Sequence, residues 1–213
     1  MARRHERPAQ QRGIETREKL VAAALEAFAD HGFAGATTRA IAERAGVALA
    51  ALPYHFETKE ALWRAAADRI FGLLTEQFQA RIRGLEGVDP PTRLRLLLRD
   101  FVLFAATHPE LHRFMLREGA VATPRLRWLV QTHVGPLFRY FRSLIAEGQE
   151  QELVRTGRPE HLYYAMIGAA SMPYAVAAEF RLLTGRNPEA KTLVEQHVET
   201  LLALFFEEPD RSS

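Results

Sequence analysis

The sequence predicts an all-α protein, on three observations. Apolar residues recur three and four apart along most of the 213-residue chain, the repeat of a helix that buries one face. Glycine, proline and capping residues interrupt that repeat where helices should begin and end. No segment alternates apolar and polar residues as a half-buried strand does.

Thr16 is placed to cap a first helix, with Glu18 in its opening turn, where the helix dipole favours a carboxylate. Leu20, Ala24, Ala27 and Phe28 follow at helical spacing and Gly32 ends the run. A short helix from Thr38 to Ala45 comes next, with the Thr38 hydroxyl as its expected cap and Ile41 and Ala45 on one face. Gly46 can take positive φ at no steric cost, so a second short helix can begin at Ala48, with Val47 and Leu52 closing over the first. Two helices joined by so short a glycine turn form a helix-turn-helix, whose second member can enter a DNA major groove. Pro53 lies inside that second helix, cannot donate a backbone hydrogen bond and should push Leu52 out of α geometry, leaving little more than one turn.

Thr58 caps a long helix from about Lys59 to Arg83, nearly 40 Å at 1.5 Å per residue, with a stripe of Leu62, Ala66, Ile70, Leu73, Leu74, Phe78 and Ile82. GLEGVDPP, from Gly84 to Pro91, is the clearest break in the chain. Asp89-Pro90 starts a helix to about Thr107 whose leucines and phenylalanines are too many for one stripe, so it is buried on most sides. His108-Pro109 opens a helix ending at Gly119. Another runs from about Pro124 to Gly148 with a kink expected at Gly135-Pro136. Helices from about Pro159 to Thr184 and from Pro188 to Glu207 complete the chain, the last capped by Asn187.

Composition bounds what such a protein does. Hydrophobic content of 47% and charged content of 25% are those of a folded chain. There is no cysteine, which excludes disulfides, thiol catalysis and cysteine zinc sites. No apolar run reaches the roughly 18 residues that span a bilayer and the N-terminus has no secretory core, so a cytoplasmic protein without a membrane partner is expected. Net charge is only +2, yet Arg3, Arg4, Arg7, Arg12, Arg17 and Lys19 gather at the N-terminus, either as a solvated tail or as an arm that meets phosphates.

The stretch TTRAIAERAGVALAALPYHFETKE, Thr37 to Glu60, resembles the signature of the TetR/AcrR-type one-component transcriptional regulators. Thr38, Ile41, Ala42, Ala45, Gly46, Val47, Leu52, His55, Phe56, Lys59 and Leu62 stand where that pattern wants them, and TREKLVAAALEAFADHGF upstream matches as well. Pro53 stands where the family usually has tyrosine. The resemblance implies an all-α fold with an N-terminal three-helix DNA-binding head, residues 1–58, joined by the long helix to a helical effector-binding and dimerisation body, residues 59–213. It implies a homodimeric regulator that leaves a palindromic operator in double-stranded DNA when a small effector binds, with no cofactor and no enzymatic activity.

Lys59, Tyr54, His55, Thr38 and Arg39 are suited to phosphate oxygens. Ala48, Leu49 and Ala50 are the expected base readers, offering only apolar contacts such as those with thymine methyls. Aromatic and sulfur-bearing residues of the body, Phe101, Phe104, Phe114, Met115, Trp128, Phe138, Met166, Met172 and Tyr174, with Glu118 as a polar handle, either line a cavity for an apolar or aromatic molecule or form plain core. Small and apolar residues of the last two helices, Ala165, Ala169, Met172, Val176, Val194, His197, Val198, Leu201 and Phe205, either finish the monomer core or form the dimer seam that the resemblance implies. Two further readings stay open: a DNA-binding dimer without a small effector, and a metal-dependent enzyme on His108 and His112, whose spacing of four is that of a metal pair but whose sequence context is not H-E-x-x-H.

Overall fold

The structure, a computed structural model, describes residues 9–207; Arg3, Arg4 and Arg7 lie outside them. Helix α1 (Ala9–Gly35) begins before Thr16, whose Oγ1 donates to the Arg12 carbonyl at 2.8 Å instead of capping. Arg12, Arg17 and Lys19 are thus exposed residues of a helix. Regular geometry ends at Gly32, φ 68° and ψ 176°, as its lack of a Cβ allows.

Helix α2 (Thr38–Arg44) is capped one residue earlier than expected: the Thr37 hydroxyl accepts from the Ala40 N–H at 3.1 Å. Its C-terminus closes through Gly46, φ 64°, whose N–H donates to the Glu43 carbonyl while the Val47 N–H donates to the Ala42 carbonyl. This pair of bonds satisfies two carbonyls a helix end otherwise leaves unpaired. The chain then makes a 3₁₀ turn, Leu49–Ala51, and one α turn, α3 (Leu52–His55). Leu52 keeps α geometry, φ −58° and ψ −44°, contrary to the expectation from Pro53. Pro53 falls in the first turn of α3, where a missing N–H costs no intrahelical bond.

Helix α4 (Lys59–Arg83) starts at the predicted residue, with Thr58 Oγ1 accepting from the Ala61 N–H at 3.0 Å. Leu62, Trp63, Ala66 and Ile70 have no solvent exposure, whereas Leu73 is exposed. Helix α5 (Pro90–Thr107) is capped by Asp89 and buries residues on most of its surface, among them Asp100. That carboxylate is held by both Nε and Nη2 of Arg81, the latter at 2.8 Å, which clamps α4 to α5.

Helix α6 (Pro109–Gly119) packs on α1 and α9. The segment expected as one kinked helix is α7 (Pro124–Leu129), a π turn over Val130–Val134 and α8 (Gly135–Glu150). Pro136 falls in the first turn of α8, directly after the π turn, where its missing N–H is accommodated by the altered bonding. A Cβ at Gly135 would lie 2.6 Å from the Val130 carbonyl oxygen, so the turn needs glycine.

Helix α9 (Pro159–Ala175) contains Pro173 and breaks at Val176 (φ −113°, ψ 36°), so the expected helix to Thr184 is two, the second being α10 (Ala177–Thr184). The last helix, α11 (Lys191–Phe205), begins later than expected because Asn187 to Ala190 form a turn, with the Ala190 N–H on the Asn187 carbonyl. Among the described residues the sole strand-like pairing is one antiparallel bridge, Val154 to Phe206, which ties the end of α11 to the α8–α9 loop. Helix α11 lies on α5 and α9. No helix among the described residues is long and apolar enough to cross a membrane.

Candidate nucleic-acid interface and ligand cavity

The helix-turn-helix divides its side chains cleanly. Ile41, Ala42, Leu52 and Phe56 are buried and hold α2 and α3 against α1 and α4, while Arg39, Ala48, Leu49, Ala50 and Tyr54 face solvent. Leu49 is 48% exposed and Tyr54 89%, large exposures for apolar bodies on an otherwise well-packed head. Thr38 and His55 are half-buried at its edge. Arg17 on α1 sits over the Phe56 ring at 5.1 Å, bringing a cation to the same head.

Lys59 is less free than the sequence suggests. Its ammonium stands 4.7 Å from the centre of the Phe33 ring, which the Arg125 guanidinium also covers, at 3.8 Å. Burial and the neighbouring Arg125 charge lower the Lys59 pKa from its ordinary value. An ammonium beside another cation, short of a carboxylate, gains from an approaching anion.

In the body, helices α4, α5, α6, α8 and α9 and the π turn line a cavity of about 410 Å³ that opens to solvent beside Leu116, Tyr164 and Met172. Helix α6 turns Leu111, His112, Met115, Leu116 and Gly119 to it; Phe71, Leu74 and Phe78 come from α4, and Tyr163, Ile167, Gly168, Ser171 and Met172 from α9. No Lys, Arg, Asp or Glu lines it. Of the aromatic and sulfur residues expected to do so, Phe101, Met115 and Met172 do.

The others are placed elsewhere, and the helical period explains why. Phe114 and Glu118 lie on the face of α6 that turns from the cavity toward α1 and α4. Phe114 stacks on Trp63 at 5.4 Å, and Trp128 meets Trp63 edge-on at 5.8 Å. Glu118 is buried and paired with Arg125 at 3.3 Å. Phe104 packs on the His108 ring, Met166 is core, and Tyr174 lies under His197. Phe71, Tyr163 and Ser171 were not singled out from the sequence. A Cβ at Gly168 would meet nothing within 4 Å in the single chain. It opens onto the cavity.

The expected dimer residues divide likewise. Val194, Val198, Leu201 and Phe205 are buried within the single chain, where they seat α11 on α5 and α9. His197 bonds through Nε2 to the Ala169 carbonyl at 3.0 Å. Ala165 and Met172 are exposed, Ala169 and Val176 half-buried. Exposed apolar residues nearby in the chain are Leu182 at 88%, Leu183 at 78% and Leu204 at 57%.

His108 and His112, the pair of the enzyme reading, make separate contacts, and so does His133. His108 Nδ1 pairs with Glu110 at 3.0 Å, His112 lines the cavity and His133 pairs with Asp68 at 2.9 Å. No group of three His, Cys, Asp or Glu among the described residues could hold a metal ion.

A helix-turn-helix head with an outward reading edge, continuous through a long helix with a hollow helical body, defines the class of DNA-binding transcription regulators. Residues 20–66 match the family of bacterial regulatory proteins called the tetR family, and the chain is a TetR-type transcriptional regulator. It is 26% identical over 198 residues, 92% of either chain, to the HTH-type transcriptional regulator RutR of Escherichia coli strain K12. Its fold is similar to that of the ketosteroid transcriptional regulator KstR2 of Mycobacterium tuberculosis, with a TM-score of 0.71 at 18% identity over 90% of this chain and 95% of that one. It is also similar to AibR in complex with isovaleryl coenzyme A and operator DNA, with a TM-score of 0.69 at 21% identity over 88% and 98%. These relatives are transcriptional regulators, not enzymes.

Proposed function

We propose that the chain acts in the cytoplasm as a homodimeric repressor that leaves a palindromic operator when an apolar or aromatic molecule enters the body. The head, residues 1–58, meets DNA, and the body, residues 59–213, holds the effector and the dimer seam. Leu49, with Ala48 and Ala50, reads the groove; Thr38, Arg39, Tyr54, His55 and Lys59 hold phosphates. The seam is built from Ala165, Ala169, Met172 and Val176 with Leu182, Leu183 and Leu204, since the inward residues of α11 are already spent on the protomer core.

The observation that carries this reading is the position of α6. One face of the helix walls the cavity, and the other is tied to the head: Arg117 Nη2 donates to the Asp30 carbonyl at 2.9 Å and Arg113 pairs with the Asp30 carboxylate. A molecule that displaces α6 therefore acts on α1 directly. It weakens DNA binding by as much as it prefers the displaced state.

Nuclease protection of the DNA upstream of the chain's own gene tests the assignment. Two protected half-sites about 34 Å apart, one helical turn, are expected from a symmetric dimer. A blank region, or a single protomer in sedimentation at micromolar concentration, would contradict it.

A further inference from the structure

The cavity wall is almost wholly apolar, yet it includes one imidazole. His112 lies on α6 between Leu111 and Met115, half-buried, with its ring edge-on to Phe101 at 5.6 Å; its Nδ1 is shut away without a hydrogen-bond partner, which leaves Nε2, unbonded among the described residues, as the nitrogen open to a ligand. Neutral imidazole has one donor and one acceptor, so the residue carries hydrogen-bonding capacity that the protein leaves unused. Ser171, on the facing α9, donates to the Ile167 carbonyl at 2.7 Å and keeps its lone pairs as acceptors. Tyr163 is the other buried polar group of the wall.

We infer that the cavity takes a neutral, largely apolar molecule carrying a hydroxyl, that His112 recognises this hydroxyl, and that carboxylates, sulfates and phosphates are turned away. This rests on the reading of the cavity as an effector site. A hydroxyl both donates and accepts, so it matches His112 in either tautomer and Ser171 as an acceptor. An anion finds no counter-charge, because no lysine or arginine reaches the wall, and an unpaired charge in so apolar a site is costly. Burial supports the same conclusion from the protein side. It lowers the His112 pKa to about 4, so the ring is uncharged at neutral pH, and raises that of Tyr163 to about 12.

Three fluorescent probes with one ring system separate the possibilities: pyrene, 1-hydroxypyrene and 1-pyrenecarboxylate, titrated into the full chain at neutral pH. The hydroxyl makes the probe less apolar, so without a partner it weakens binding; with one, a hydrogen bond is worth about threefold to tenfold in affinity. The expected order is hydroxypyrene tightest, pyrene next, carboxylate weakest. His112→Phe should retain pyrene binding and lose the hydroxyl advantage, and His112→Asn, which keeps a donor and an acceptor, should preserve part of it if the phenylalanine variant does not fold. Equal affinity for pyrene and hydroxypyrene, a carboxylate that binds as tightly as the hydroxyl, or an advantage that survives His112→Phe would overturn the inference while leaving the effector site standing. Failure of all three probes to bind would overturn both.

Discussion

Arg113 on α6 stands 3.4 Å from the Asp30 carboxylate on α1. The second oxygen of that carboxylate lies 3.6 Å from Arg44 on α2, which also bonds Glu26 at 3.1 Å. Asp30 therefore links a helix that walls the cavity to the first helix of the helix-turn-helix. Its side chain is 36% exposed, and ion pairs so exposed contribute about 0–1 kcal/mol to stability. Their value here is in coupling.

Asp30→Asn is accordingly expected to change stability by less than about 1 kcal/mol and to narrow the difference in operator affinity between the ligand-free and ligand-bound protein. Anisotropy titrations with and without saturating ligand check this. An unchanged ratio removes Asp30 from the coupling.

The two kinds of residue proposed to meet DNA should separate in salt. Arg39→Ala removes one exposed cation and should weaken binding to every sequence, lowering the slope of log affinity against log salt by about one per subunit. Leu49→Ala should leave that slope unchanged and alter base preference at one position of each half-site. Binding of a fragment library at several salt concentrations measures both effects.

The Arg81 clamp on Asp100 makes an asymmetric prediction. Arg81→Met strands a carboxylate that is only 4% exposed, at a cost of about 3 kcal/mol. Asp100→Leu leaves a guanidinium whose side chain is 43% exposed and can turn to water, so it should cost less. Urea unfolding of both variants and of the double variant gives the order.

Stability should also fall with acid in a window set by His112. Its folded pKa, lowered by burial to about 4, lies below the ordinary value of 6.5, so below pH 6.5 the unfolded chain binds the proton first. Its contribution is fully present above that value, is lost as pH falls toward about 4, and changes no further below it, at most about 3 kcal/mol in all. His112→Phe should lack this part of the pH dependence. Parallel slopes for the two proteins would show that the ring is not shielded.

What was legible in the sequence was local. Thr58, Asp89 and Gly46 act on backbone groups within a few residues, and all three end or begin helices as their chemistry requires. The helix-turn-helix was readable for the same reason. Choices between near-equal local options were not: Thr37 took the cap expected of Thr38, and the irregularity expected at Gly135-Pro136 took the form of a π turn just ahead of it. Partners distant in sequence left no mark, as with Arg81 and Asp100. In the body, residue type marked an apolar interior without telling wall from filling. Only the rotation of α6 decides that Met115 faces the cavity and Phe114 packs on Trp63.

The central claim, that occupancy of the cavity loosens the grip on DNA, has a direct measurement. A labelled fragment from upstream of the gene is titrated with the protein at fixed salt, with and without saturating 1-hydroxypyrene. Operator affinity about 5-fold to 150-fold weaker in its presence, the range of ordinary allosteric coupling, is the result this account predicts. Identical affinity at full occupancy would contradict it.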